Sequence, residues 1–326
     1  MVVGAGTGEA RSPWRRGGIR RFGLYGRESL VMTPSCCNCI ANRPPLFLKL
    51  EMFVKPIAQS LAAAIIAVGL ASCAGAASAA DCQHGSFDTW LAGFKQDAAA
   101  QGISQGTIAA ALNGVTFDQT VINRDHAQGV FHQTFEQFSG RMESQDRLRK
   151  GADMLKRYGS VLARIEERYG VPGPVLVAIW GLETDYGVNQ GKFSTLRSLA
   201  TLAYDCRRSD KFRGEFLDAL RIVERHDMTA GEMRGAWAGE IGQTQFLPSS
   251  YLKFAVDFDG MGHRDLIRSS PNALASTANF LKSYGWVRDQ PFTPGSANFN
   301  ALQKWNESEI YAKTVADFAT KLAQQP

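Results

Sequence analysis

Apolar residues recur every three or four positions along most of residues 87–322, a spacing that gathers them on one side of an α-helix. This pattern predicts helices over residues 87–112, with a break near Gly102, and over residues 130–138. It also predicts one long helix from Met142 to about Tyr169. Few segments alternate between apolar and polar positions as strands do. The sequence therefore predicts a mainly α fold.

Proline and glycine set the boundaries of the later elements. Gly170 to Pro174 ends one helix, and the next helix begins on Pro174 and extends to about Asp185. Further helices are predicted over residues 194–204, 211–225, 271–284 and 301–322, with Gly285 ending the third of these. Residues 236–246 are the least regular stretch, and we expect a ligand to bind in a groove between helices.

Glu183 is a candidate general acid. It stands near the carboxyl end of an almost wholly apolar helix, where burial and the helix dipole both raise the pKa of a carboxyl group. The alternative is a helix-end glutamate exposed to water. Asp185 lies two residues on, and at about 100° per residue the two side chains point apart. We therefore predict that Asp185 caps the helix or forms an ion pair.

Residues 239–246, with sequence GEIGQTQF, form a second candidate site. Glycines allow a backbone to approach a ligand closely, and Gln245 can both donate and accept hydrogen bonds to sugar hydroxyl and acetamido groups. A tight structural loop explains the same composition equally well.

Residues 52–80 are typical of a secretory signal peptide, with Lys55, an apolar run over residues 57–70 and small residues before a cleavage site near Ala79. Leu70-Ala71-Ser72-Cys73 resembles a lipobox, in which Cys73 would carry a lipid anchor; otherwise Cys73 is removed with the signal. Residues 1–51 read as a disordered upstream extension translated from too early a start, or alternatively as a transit peptide or metal-binding tract.

The distribution of charge bears on nucleic-acid binding, and the cysteine content bears on disulfide formation. Nine of the 36 Lys and Arg residues and three of the 31 acids lie in residues 1–80. Residues 81–326 therefore carry 27 and 28, which is close to neutral and lends no support to nucleic-acid binding. An exported chain retains Cys82 and Cys206, which predicts one disulfide between them, the alternative being two free thiols.

Five ordered segments resemble the B-type family of lytic murein transglycosylases over residues 90–322. They read GLETDYG, YDCRRSDKFRGEF, GAWAGEIGQTQFLPSSYLKFAVDFDG, ANFLKSYGW and WNESEIYA. The resemblance implies that residues 81–326 form a catalytic domain, with a lysozyme-like core over about 165–290 and an additional helical subdomain. It also implies that Glu183 is the sole catalytic acid and base. It places the following residues in the substrate groove: Arg207, Arg208, Gln245, Phe280, Asn306 and Tyr311.

The resemblance further implies a periplasmic monomer that acts on peptidoglycan glycan strands without a cofactor. Ala236 stands where some members have Ser, and Phe280 and Trp305 stand where some have Tyr, so substrate contacts can differ from theirs. Three rival functions stay open: a hydrolytic muramidase, a non-catalytic wall-binding protein and a structural periplasmic protein.

Some members of this family bind calcium in an EF-hand-like loop, which corresponds to residues 257–268. Such a loop needs oxygen ligands at positions 1, 3 and 5 and a glutamate at position 12. Here position 5 is Met261 and position 12 is Arg268, and a thioether is a poor ligand for a hard cation. We therefore predict no metal site.

Overall fold

Short capped helices make up most of the chain that the structure describes, a computed structural model covering residues 85–127 and 133–325. Its helices are α1 (Phe87–Ala100), α2 (Gln105–Leu112), α3 (Gln119–His126), α4 (Phe135–Met142), α5 (Gln145–Arg157), α6 (Gly159–Tyr169), α7 (Gly173–Thr184), α8 (Thr195–Tyr204), α9 (Ser209–Glu224), α10 (Pro248–Phe254), α11 (Ser270–Ser283), α12 (Ala297–Trp305) and α13 (Glu309–Ala323). Strands β1 (Phe193–Ser194) and β2 (Arg234–Gly235) pair antiparallel. The predicted mainly α fold is confirmed.

Several predictions fall on residues outside this description. They include the signal peptide over residues 52–80, the extension over residues 1–51, the anchor at Cys73 and the partner Cys82 of the predicted disulfide. Cys206 is exposed between α8 and α9, and its pairing with Cys82 stays a prediction. The bounds proposed for the core and the helical subdomain also stay predictions. Within residues 85–127 and 133–325, no helix combines the length and the apolar character needed to cross a bilayer.

Side-chain caps fix where most helices begin. At eight N-termini a serine or threonine oxygen accepts the backbone N–H three residues ahead, satisfying a donor that the helix itself leaves without a partner. Such a cap typically stabilises a helix by about 1 kcal/mol. The eight residues are Ser86, Ser104, Thr134, Ser144, Ser194, Ser269, Ser296 and Ser308.

The single long helix predicted from Met142 to about Tyr169 is wrong, because the chain breaks at Tyr158 into α5 and α6. Gly159 has low helix propensity, which weakens the helix at this point. Tyr158 also has partners elsewhere in the fold. Its ring packs edge-on against Trp180 at 5.4 Å, and its hydroxyl donates to Ser270 Oγ at 3.3 Å. Tertiary contacts therefore override the apolar stripe.

The last predicted helix, over residues 301–322, is also two helices, α12 and α13. Asn306 Oδ1 accepts the backbone N–H of Ser308 at 3.0 Å, and Ser308 Oγ accepts that of Tyr311 at 3.3 Å. These two local hydrogen bonds end one helix and start the next within three residues. The break turns both Trp305 and Tyr311 toward α7.

Helix α7 lies at the centre of the core. All its residues except Pro174 and Glu183 are buried, and helices α5, α6, α11 and α13 pack around it. This encirclement explains why the segment is apolar on every side. Gly181 allows the ring of Tyr186 to lie against the helix, since a Cβ at Gly181 would stand 2.8 Å from that ring. The Tyr186 hydroxyl then donates to the carbonyl of Arg147 at 2.6 Å and ties α5 to the end of α7.

We predict that Gly181→Ala lowers the free energy of unfolding by about 1–3 kcal/mol, because the added methyl group displaces the Tyr186 ring from a packed core. Urea denaturation followed by circular dichroism measures the change. The control is Gly93→Ala on α1, where a Cβ meets nothing within 4 Å. This control should stabilise the helix by about 0.5–1 kcal/mol. Equal stability of the two variants would contradict the packing argument.

Candidate active site

A groove of about 900 Å³ runs past the carboxyl end of α7. Its walls come from the start of α9, the loop 236–247, Phe280 on α11 and the turn between α12 and α13. Charged and aromatic side chains both line it. The lining includes Glu183, Arg208, Lys211, Trp237, Glu240, Gln245, Phe280, Lys304, Trp305, Asn306 and Tyr311.

Glu183 lies half-buried in the last turn of α7 and faces this groove. Its Oε1 accepts hydrogen bonds from Trp305 Nε1 at 3.1 Å and from the Tyr311 hydroxyl at 2.5 Å. The helix ends one residue later, where Asp185 adopts a left-handed conformation with φ of 53°. Glu183 is thus a carboxyl group held by two donors inside a cleft and not a helix-end residue in bulk water.

Burial raises the pKa of Glu183 to about 7. The hydrogen bonds from Tyr311 and Trp305 act in the opposite direction, because they favour the carboxylate, whereas the negative charge of Glu240 adds to the increase. Burial and the neighbouring Glu183 also raise the pKa of Tyr311 well above its usual value. Tyr311 therefore stays protonated and remains a donor at any pH near neutrality.

The two donors to Glu183 are positioned by the break between α12 and α13. Trp305 is the last residue of α12, and Tyr311 stands in the first turn of α13. The Trp305 ring packs edge-on against Phe246 at 5.2 Å and Phe280 at 5.0 Å. An uninterrupted helix, as predicted over residues 301–322, would separate the two side chains by six positions along one axis. The local turn instead brings them to one oxygen atom.

Gln245 and Asn306 both line the groove, and both also serve local structure. Gln245 has a φ of 55°, and its amide nitrogen donates to the carbonyls of Gly242 at 2.7 Å and Gln190 at 3.1 Å. Asn306 forms the turn that precedes α13. Phe280 also lines the groove, although it is only 6% exposed.

The adjacent arginines Arg207 and Arg208 have different surroundings. Both form ion pairs with Asp125, whose side chain is 1% exposed. Burial alone would raise the pKa of Asp125, but the two guanidinium groups reverse this effect and hold it below its usual value. Arg208 also lies over the Phe212 ring at 4.8 Å and lines the groove. The structure places Arg207 outside the residues that line the groove.

Asp185 has the structural role that its spacing predicts. Its carboxylate pairs with Arg147 at 3.4 Å and Lys150 at 3.6 Å, both on α5. Two features of the groove were not predicted from the sequence, however: the hydrogen bond that Trp305 donates to Glu183, and the carboxyl group of Glu240, which lines the same groove. Glu240 is the one acid in residues 236–246, which is a signal that could have identified it.

The chain is similar to several known proteins. A family model described as transglycosylase SLT domain matches residues 86–295. Membrane-bound lytic murein transglycosylase B of Escherichia coli K12 is 38% identical over 144 residues, which are 44% of this chain and 40% of that protein. The match therefore spans less than half of that relative's length.

Solved structures extend the likeness over most of the chain. SltB3 from Pseudomonas aeruginosa, in complex with NAG-anhNAM-pentapeptide, is 32% identical with a TM-score of 0.70, covering 73% of this chain and 80% of that chain. The lytic transglycosylase Slt35 of Escherichia coli, in complex with calcium, is 25% identical with a TM-score of 0.65, covering 72% and 92%. The mainly α fold is thus that of lysozyme-like lytic transglycosylases.

The loop over residues 257–268 has its carboxylates engaged by other groups. Asp257 Oδ1 accepts the backbone N–H of Gly260 at 2.9 Å, and its Oδ2 accepts that of Gly262 at 2.8 Å. Arg268, at the position where a calcium loop has its glutamate, pairs with Asp265 at 3.2 Å. The cationic side chain therefore stands where a metal would need an anionic ligand.

We predict that calcium does not stabilise the protein. A site with a dissociation constant of about 1 mM would add about 1.4 kcal/mol at 10 mM calcium. Thermal unfolding with and without calcium should instead give the same midpoint, with magnesium as the ionic-strength control. Arg268→Glu, which restores the acidic position, should make the midpoint respond to calcium. A calcium-specific increase in the wild type would contradict the prediction.

Proposed function

Because the chain belongs to the transglycosylase SLT domain family, we propose that it is a lytic transglycosylase of peptidoglycan. It cleaves the β-1,4 bond between N-acetylmuramic acid and N-acetylglucosamine and leaves 1,6-anhydro ends. The observation that carries the proposal is the state of Glu183. Its carboxyl group is half-buried, faces the groove and has a pKa raised to about 7. A group that must first give and then take a proton works best with its pKa near the working pH.

The reaction begins when protonated Glu183 donates its proton to the oxygen that links the two sugars. The bond between this oxygen and C1 of the muramic acid breaks, and positive charge develops at C1. The acetamido carbonyl of the same sugar stabilises C1, a substrate-assisted route known among glycoside-cleaving enzymes. Ionised Glu183 then removes the proton from the C6 hydroxyl. The O6 atom bonds to C1, Glu183 is protonated again, and no water is consumed.

Trp305 and Tyr311 fit this cycle because both donate to the same oxygen of Glu183, Oε1. Oε2 is then the oxygen that exchanges a proton with the substrate. Both donors are uncharged, so they stabilise the carboxylate formed after the first transfer without removing its ability to act as a base. They also hold the carboxyl group in one orientation for both steps.

The rest of the groove suits a sugar chain that carries carboxylates. Arg208, Lys211 and Lys304 supply positive charge for lactyl or peptide carboxylates. Trp237 and Phe280 supply flat apolar surfaces for sugar rings. The likeness to SltB3, solved with a NAG-anhNAM-pentapeptide, supports a ligand of this class.

Export to the periplasm belongs to the same proposal. The signal-like segment at residues 52–80 would deliver the chain to the compartment that contains peptidoglycan. Cys73 offers a lipid anchor at the outer membrane, and cleavage near Ala80 would instead release a soluble monomer. A membrane-bound protein is among the relatives.

One observation favours a second candidate, a hydrolytic muramidase. Glu240 places a second carboxyl group in the groove, and paired carboxylates are the usual means by which glycosidases activate water or trap the sugar. The two candidates differ in their products, because hydrolysis leaves reducing ends that are heavier by one water than anhydro ends.

We predict that Glu183→Gln lowers cleavage of purified sacculi by about a thousandfold or more, because glutamine can neither donate nor accept the transferred proton. Mass spectrometry of the released fragments measures both the rate and the type of end. The matched control is Asp185→Asn, which removes a neighbouring carboxylate outside the groove and should retain most of the activity. Reducing ends would support the muramidase, and unchanged activity in Glu183→Gln would support a non-catalytic role.

We predict that Tyr311→Phe moves the alkaline limb of the pH–rate profile to higher pH, since the hydrogen bond from Tyr311 lowers the pKa of Glu183. Loss of a donor to a carboxylate should also reduce kcat by about tenfold to a hundredfold. The control is Tyr284→Phe, which removes a hydroxyl from a partly exposed ring outside the groove lining. A limb that stays in place or moves to lower pH would show that Tyr311 does not act through the Glu183 proton.

A further inference from the structure

A group of cations lies beside the two-stranded sheet, outside the residues that line the groove. Arg124 on α3, Lys192 just before β1 and Arg234 on β2 are all exposed, and we call these three residues the basic patch. Within residues 85–127 and 133–325, none of the three forms an ion pair. The patch thus presents three positive charges to solvent.

Contacts with uncharged groups hold the three cations on one surface. The guanidinium carbon of Arg124 lies 5.3 Å from the centre of the Phe193 ring, which is a cation–π contact. Phe193 directly follows Lys192, whose carbonyl accepts a hydrogen bond of 3.4 Å from Arg234 Nη1. Phe193 also pairs across the sheet with Gly235, the residue after Arg234. The basic patch is therefore a single surface formed by α3 and the sheet.

The acids nearest to the patch in the sequence are engaged by other cations. Asp125 follows Arg124, but its side chain is 1% exposed and is paired with two other arginines. Glu232 lies two residues before Arg234 and pairs with Arg268. The charges of the basic patch therefore remain available to an anion from outside the chain.

The basic patch is joined to the groove along two paths. Ala236 lines the groove and stands two residues after Arg234, so β2 leads directly into the groove wall. Arg208 also lines the groove, and it pairs with Asp125, the residue next to Arg124 on α3. The patch therefore continues the groove at the end that Arg208 lines.

We propose that the basic patch extends the substrate site and binds the carboxylates of stem peptides on disaccharide units beyond the one being cleaved. The inference rests on the proposed function, since a glycan strand that fills the groove continues past its end with the same repeating unit. Guanidinium and ammonium groups are suitable partners for the carboxylates of each unit. Because all the units belong to one molecule, weak contacts at the patch add to the affinity of the groove. The preferred ligand is then a strand of several peptide-bearing units.

The test measures binding by isothermal titration calorimetry in Glu183→Gln, the parent protein, in which the proposed function leaves strands uncut. The ligands are a single disaccharide-peptide unit and soluble strands of several units. The patch variant adds Arg124→Gln, Lys192→Gln and Arg234→Gln to the parent. Its affinity for strands, relative to the single unit, should fall by roughly tenfold, since each exposed ion pair contributes about two- to threefold.

A matched control removes the same number of positive charges elsewhere. Lys156→Gln, Arg157→Gln and Arg164→Gln replace exposed cations of α5 and α6 that lie outside the groove lining and the patch. The control should bind strands as the parent does. Converting the peptide carboxylates to amides should weaken strand binding more in the parent than in the patch variant, and added salt should do the same.

Several outcomes would overturn the inference. They are an equal loss of affinity in the control, or unchanged strand affinity in a patch variant that circular dichroism shows to be folded. Binding to anionic phospholipid vesicles that only the patch variant loses, with strand affinity retained, would assign the surface to a membrane instead. If the triple substitution does not fold, Lys192→Gln alone decides the question, with an expected loss of about two- to threefold.

The proposed function and the inference can fail separately. A wild type that binds strands through the basic patch but does not cleave them would contradict the proposed function and leave the patch in place. A wild type that cleaves strands, with a patch variant that binds them as tightly as the parent does, would contradict the inference alone. A parent protein that binds no strand of any length would contradict both.

Discussion

The site depends on the burial of α7 on all sides. Four helices pack around this apolar helix, so its last turn is withdrawn from solvent together with the rest. Glu183 is the one acidic residue on α7, and it is half-buried because its helix cannot move outward without exposing the core. Burial is in turn the largest cause of its raised pKa. The burial that stabilises the core thus also raises the pKa of Glu183 and keeps its carboxyl group available as a proton donor.

The opposing side of the site is built from irregular structure. The turn between α12 and α13 provides Trp305 and Tyr311, and the loop 236–247 provides Glu240 and Gln245. Both segments are held by contacts, which include a backbone bridge, a capping hydrogen bond and ring packing. A rigid helix therefore supplies the reacting group, and well-anchored loops supply the charges and donors that tune it.

Local chemistry made much of this fold predictable. Gly102, the segment from Gly170 to Pro174, and Gly285 mark real helix ends, because glycine and proline restrict the backbone regardless of context. The breaks at Tyr158 and Asn306 were not predicted, since the apolar stripe continues across both. The contacts of Tyr158 lie elsewhere in the fold, whereas Asn306 and Ser308 form local hydrogen bonds that the apolar spacing does not reveal. Arg207 was placed in the groove from the resemblance, but its guanidinium group turns to Asp125, which is 82 residues away in the chain. Ion pairs between residues so far apart in the chain cannot be predicted from the spacing of residues within one segment.

The glycines beside Glu240 have a consequence for chemical intervention. A Cβ at Gly235, Gly239 or Gly242 would stand 1.6, 2.4 or 2.5 Å from its nearest neighbour, so none of these positions accepts a side chain without a local rearrangement. These close approaches fix the main-chain path of the groove wall that the glycines support. An inhibitor that forms hydrogen bonds with main-chain atoms of this wall would bind groups that single substitutions cannot easily alter. Resistance would then have to arise at exposed positions on the opposite rim, such as Lys304.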